Sequence, residues 1–222
     1  MMKKVVFFAA AFAVLIGALQ VNGASTHNVA EDFGMLETVF FDLEGYDWAK
    51  EPIEHLSRKG IVSGVDFGIY EPSRQITRAE FIKLAVTSCG LCKKDAKSDF
   101  KDVTRGNWHY EYVSSAFEAG IIDIYADYLN PDIPISREDM CYIAYKALEK
   151  TGTLPEIEIT GEFADAELMA PYAKEAVSAM KAMGVINGKG DNLFDPKGNA
   201  TRAESAKIVY NVLNIFTENY NK

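Results

Sequence analysis

One pattern is written three times in this chain, and it limits the fold more than any single motif. The units begin "FFDLEGYDWAKEPIEHLSRKGIVSG", "FKDVTRGNWHYEYVSSAFEAGIIDI" and "FADAELMAPYAKEAVSAMKAMGVING". Each opens on F-x-D, through Phe40 and Asp42, Phe100 and Asp102, and Phe163 and Asp165. An aromatic follows at Trp48, Trp108 or Tyr172. A helical stretch then ends at Gly60-Ile61, Gly120-Ile121 or Gly184-Val185. An apolar residue stands two before a proline in every unit: Tyr70, Leu129 and Phe194. Five residues after that proline comes Thr77, Ser136 or Thr201, followed at once by Arg78, Arg137 or Arg202.

Each unit is predicted to form two helices. The first spans about 47–59, 107–119 and 171–183, with apolar residues at helical spacing such as Trp48, Ile53 and Leu56. The glycine after it supplies a left-handed C-terminal cap. The second spans about 77–90, 136–151 and 201–217 and starts on the Thr or Ser. Thr77 with Glu80 reads as a capping box. Its apolar face carries Phe81, Leu84 and Ala85, then Met140, Ile143 and Ala147, then Ile208, Val212 and Ile215. One such pair cannot bury its stripe alone, so three should pack together. The expectation is an all-α, pseudo-threefold bundle with the second helices central. Its units are 40–92, 98–152 and 161–217, joined by linkers at 93–99 and 152–162.

Capping does not explain Arg78, Arg137 and Arg202. A cation at the first helical position faces the positive end of the dipole. Helix N-termini offer unpaired N–H groups to anions, and arginine suits carboxylate or phosphate. The alternatives are a salt bridge to Asp42, Asp102 or Asp165, or a solvated side chain. Trp48 and Trp108, with Tyr172, fit sugar stacking or core anchoring. The aspartates fit orientation of the backbone and the arginine, or contact with a ligand. Gly64 and Gly188 fit either a tight turn or close approach of a ligand to the backbone.

The second unit departs from the others. Ile124 replaces the glycine, "SRED" replaces "TRAE", and His109 follows Trp108 where alanine follows Trp48. A groove built on it is expected to be narrower or inactive, with Asp139 serving the cap. "CGLC" at 89–92 has no second CxxC or His pair nearby. It reads as a local disulfide or buried thiols ahead of a redox or metal site.

"MMKKVVFFAAAFAVLIGALQVNGAS" has the basic, apolar, small-residue order of a secretory signal. Residues 1–23 are assigned to it and 24–39 to an N-terminal extension. Removing it takes away Lys3 and Lys4 and leaves 21 basic against 32 acidic residues, a balance of −11. That balance opposes nucleic-acid binding except through local basic sites. No membrane partner is expected after cleavage, and no cofactor motif is present.

The pattern F-x-D…WA…GI-x-x-G…P…ITRAE, in three copies across about 40–217, resembles the S-layer homology (SLH) domain family. The resemblance implies a pseudo-threefold helical bundle with grooves between its prongs. It implies non-covalent anchoring of an exported protein to the bacterial cell wall. The usual ligand is a secondary cell-wall polysaccharide, often with pyruvate ketals, and amine-modified peptidoglycan is another. The arginine of the TRAE motif would contact the acidic group, which implicates Arg78, Arg137 and Arg202. Asp42, Asp102, Asp165, Trp48 and Trp108 complete the candidate ligand-binding set. No catalytic constellation stands apart from the repeats, so a non-enzymatic module is expected. S-layer or envelope proteins are possible further partners, and a protein–protein adaptor or structural bundle is the alternative. The family usually appends a catalytic or lattice-forming region, so this chain would be a wall-bound accessory or a fragment lacking its cargo.

Overall fold

The computed structural model describes residues 40–159 and 161–220. The signal-peptide and extension assignments lie outside them. Among the described residues six α-helices follow in order: α1 (Asp47–Arg58), α2 (Arg78–Ser88), α3 (Tyr110–Glu118), α4 (Arg137–Lys150), α5 (Pro171–Ala182) and α6 (Arg202–Tyr220). Among the described residues the only β pairings are isolated bridges, so the fold is all-α in three repeats.

The first helices end where expected, because Gly60, Gly120 and Gly184 take φ of 69°, 66° and 70°. The next residue's N–H then reaches back into the helix, as in Ile61 to Leu56 O at 2.9 Å. α3 starts three residues later than its spacing suggests. Asn107 ties the preceding turn by accepting from the Thr104 N–H at 2.7 Å, and an Asn side chain bound this way competes with helix.

The second helices α2, α4 and α6 all pack on one another. Each first helix packs against the second helix of a different unit: α3 on α2, α5 on α4, and α1 on α6. The units therefore close a ring, with the first unit's opening helix completing the third. At the ring's centre the Ile76 N–H donates to Ala200 O, the Ala200 N–H to Ile135 O, and the Ile135 N–H to Ile76 O, each at 3.0 Å. Ile76, Ile135 and Ala200 are fully buried there. Each isoleucine contributes about 2 kcal/mol of apolar burial. The apolar faces of α2 and α4 enter this core as expected, as do Ile208 and Val212, while Ile215 is half-buried.

The cysteines carry no disulfide: Cys89 and Cys141 are buried thiols and Cys92 is exposed. Burial raises the Cys89 thiol to about 11. Among the described residues no cluster of His, Cys, Asp and Glu is placed to hold a metal. Native alkylation at pH 8 is expected to modify Cys92 alone, with Cys89 and Cys141 reacting only in denaturant. Peptide mass mapping before and after denaturation reads this directly.

Candidate functional site

The helix N-termini are not open to an anion. The Arg78 and Ala79 N–H groups donate to Ile133 O and Pro131 O, those of Arg137 and Glu138 to Gly198 O and Pro196 O, and those of Arg202 and Ala203 to Arg74 O and Pro72 O. The third N–H of each helix goes to the cap hydroxyl of Thr77, Ser136 or Thr201. The expected N–H contribution to an anion site is therefore corrected. These donors bind the proline loop of the neighbouring unit and hold the ring shut.

The arginines follow the same route. Arg78 donates to Leu129 O at 2.9 Å, Arg137 to Phe194 O at 2.8 Å and Arg202 to Tyr70 O at 2.8 Å. Those are the three residues two before each proline. Arg137 and Arg202 also lie over the Phe194 and Tyr70 rings, at 5.1 and 4.4 Å, while Arg78 lies over Tyr125 at 4.5 Å. The alternative reading, a salt bridge to Asp42, Asp102 or Asp165, does not hold: among the described residues no such pair forms. The carboxylates that approach are the third residues of neighbouring second helices: Glu204 on Arg137 at 2.5 Å and Asp139 near Arg78 at 3.7 Å.

Each aspartate instead clamps its own unit's proline loop. Asp42 accepts from the Tyr70 and Glu71 N–H groups, Asp102 from Leu129 and Asn130, and Asp165 from Phe194 and Asp195, at 2.7 to 3.1 Å. Both oxygens of each aspartate are committed to backbone, and none of the three lines the grooves described below. Burial disfavours the Asp165 carboxylate, but the Phe194 and Asp195 N–H groups, with Arg137 nearby, outweigh it and hold its pKa below the ordinary value. A lowered folded-state pKa stabilises above the unfolded value, about 3.9, and the contribution is lost as pH falls through the folded value. Asp165→Asn is thus expected to lower urea stability at pH 7 and to flatten its decline below about pH 4. Urea titrations of both proteins across pH 2.5–7 measure this.

Two open grooves have matching linings. Groove A, of about 170 Å³, joins Ser63, Tyr70, Glu80 and Lys83 of the first unit to Arg202 of the third and Trp108 of the second. Groove B, of about 310 Å³, joins Asn187, Gly188, Glu204 and Lys207 of the third unit to Arg137 of the second and Trp48 of the first. Trp48 is 49% exposed and Trp108 55%, so neither is a core anchor. Each lines a groove together with two cations, a set of residue types suited to a sugar ring bearing an acidic substituent.

The third site is filled by the protein itself. Tyr125 donates to one Asp139 oxygen at 2.8 Å and Tyr172 to the other. Tyr142 packs edge-on against Tyr172 at 5.4 Å and donates to Asp123 at 2.7 Å. Burial, then Asp139, pushes the Tyr125 hydroxyl far above its ordinary value, so it stays a donor. Asp139 receives these hydroxyls and does not complete the expected reciprocal cap.

Gly64 and Gly188 serve the turn. A Cβ at either would lie 2.6 Å from a backbone oxygen, of Ile69 or Leu193, and under 3 Å from the Phe40 or Phe163 ring. Lys83 and Lys207 are the groove residues that sequence reasoning missed. They stand six residues after Thr77 and Thr201, where the second unit has Tyr142, so the aligned units already held the signal.

The S-layer homology domain model matches residues 40–82, 99–141 and 162–206, so Lys83, Tyr142 and Lys207 each fall one residue past a match. Over 168 residues the chain is 37% identical to the exoglucanase XynX of Acetivibrio thermocellus, covering 75% of this chain and 16% of that one. It is 30% identical to the S-layer protein sap of Bacillus anthracis, covering 77% and 20%. To a cellulosome-anchoring protein of A. thermocellus it is 27% identical, covering 72% and 38%. The chain thus spans well under half the length of each of these relatives. Three matched repeats, spaced as the three helical units are, mean that this chain belongs to the S-layer homology domain family.

Proposed function

We propose that the chain is an exported, non-catalytic module that anchors to the bacterial cell surface. It would bind an acidic, pyruvylated secondary cell-wall polysaccharide non-covalently through grooves A and B. The observation that supports this best is the repeated constellation of one arginine, one lysine and one exposed tryptophan, contributed by three units in both grooves. A carboxylate ketal on a hexose presents an anion beside an apolar ring face, which complements that set. The chain carries −9 overall, so these cations are local basic sites on an acidic protein, and binding should weaken with salt.

The test is co-sedimentation of the protein with cell-wall sacculi whose secondary polymer is intact, depyruvylated or stripped. Retention on intact walls and loss on the other two is expected. Retention that survives stripping overturns the polymer reading and directs attention to peptidoglycan. A protein-adaptor reading draws on one feature, the exposed Phe41 and Phe67 rings 6.2 Å apart. It requires capture of an envelope protein in the absence of any wall polymer.

A further inference from the structure

The three sites differ in what happens to the carboxylate at the third position of the second helix. In groove B, Glu204 closes on Arg137 at 2.5 Å. In the filled site, Asp139 takes two tyrosine hydroxyls and stands 3.7 Å from Arg78. In groove A, Glu80 also lines the groove, but its carboxylate is paired with Arg74 and not with Arg202. Arg74 binds both of its oxygens, at 2.8 and 3.3 Å, and also meets Glu71 at 3.1 Å. Among the described residues no carboxylate lies within ion-pair distance of Arg202, whose Nε and Nη2 bind the carbonyls of Tyr70 and Ser63. The position of Arg74, three before the cap, holds Ile133 in the second unit and Gly198 in the third. Only the first unit has a second cation there to claim the acid.

We propose that groove A is the dominant anion site of this chain, and that Arg74 makes it so by holding Glu80 off Arg202. This rests on the reading of the grooves as acidic-sugar sites and ranks them. An incoming carboxylate at groove A meets Arg202 and Lys83 with no ion pair at Arg202 to break, because Glu80 in the same lining is held by Arg74. At groove B it must compete with Glu204 for Arg137. Arg74 is a positioning residue, since it is absent from the groove lining and acts through Glu80.

The chain has two tryptophans, one in each open groove, so each indole N–H is a site-resolved reporter. The experiment titrates a methyl hexoside bearing a 4,6-linked pyruvate ketal into the 15N-labelled protein, with both indole signals assigned by single Trp→Phe variants. The Trp108 signal is expected to saturate at about tenfold lower ligand concentration than Trp48, the scale of one freed ion pair. Arg74→Ala should weaken binding at Trp108 to the Trp48 level and leave Trp48 unchanged. Adding Glu80→Gln to Arg74→Ala should restore Trp108, because Gln still caps the helix but no longer competes for Arg202. A purely structural role for Arg74 would move both indoles together and give no such rescue. Equal affinity at the two indoles overturns the ranking while leaving the function standing, as does an Arg74→Ala variant with unchanged Trp108 binding. Silence at both indoles overturns the ligand chemistry and the ranking with it.

Discussion

Arg137→Ala should lower stability by about 3 kcal/mol, the low end of the range for breaking one side of a buried ion pair. The Arg137 side chain is 8% exposed, and three attachments depend on it: the Phe194 carbonyl, the Glu204 carboxylate and the Phe194 ring. Its loss strands that carbonyl where the third unit meets the second. Glu204 is 22% exposed and keeps its bonds to the Thr201 N–H and hydroxyl, which moderates the effect. Arg202→Ala should cost only about 1 kcal/mol, because it breaks carbonyl bonds with no buried carboxylate left behind. For a unit of this size the difference is about 5 °C in Tm. Thermal melts by circular dichroism measure it, and a variant of Arg137 no less stable than that of Arg202 contradicts the account. Arg137→Lys should rescue little, since one ammonium cannot reproduce the forked contact. A consequence follows for binding studies: removing all three arginines tests folding and ligand contact at once.

Much of the fold was legible because its rules are local. The cap residues, the C-terminal glycines and the apolar stripes each refer to neighbours within a turn or two, and they placed the helices to within a few residues. The ring order was not legible. Three similar units state that helices pack, but not that α1 completes α6 while α3 completes α2. The arginines were found but their partners were not, since they bind main-chain carbonyls at Tyr70, Leu129 and Phe194, and a carbonyl has no identity in sequence. Orientation of the backbone by Asp42, Asp102 and Asp165 was legible, but not which N–H groups they hold, for the same reason. Trp48 and Trp108 follow the opposite logic. An aromatic opening a helix is usually a core residue, and only the shift of each first helix onto another unit leaves these two beside foreign cations. The departure of the filled site from the other two was visible as Ile124 and "SRED". The groups that fill it, Tyr125, Tyr142 and Tyr172, come from two units and meet only in space.

The double variant Lys83→Ala, Lys207→Ala should abolish wall retention while leaving the fold intact. Neither lysine makes an ion pair among the described residues; each only faces a tyrosine ring, Tyr112 at 5.7 Å or Tyr210 at 5.8 Å. Their removal from partly exposed positions should change stability by no more than about 0.5 kcal/mol. Each lysine nevertheless supplies the one groove cation not already engaged with main chain. Losing one charge contact to a carboxylate weakens a groove by about tenfold, or about 1.4 kcal/mol. A polymer bridging both grooves turns the second contact into an intramolecular one, so the two single losses should multiply, to about a hundredfold for the double variant. Lys83→Ala alone should then weaken retention more than Lys207→Ala alone, because groove A has the unopposed arginine. Sacculi binding isotherms at 50 and 200 mM salt, alongside urea melts, read both effects. The wild type should lose affinity between those concentrations and the double variant should lose much less, since the exposed cations that salt screens are gone. Full retention by a stably folded double variant would remove the grooves from the mechanism.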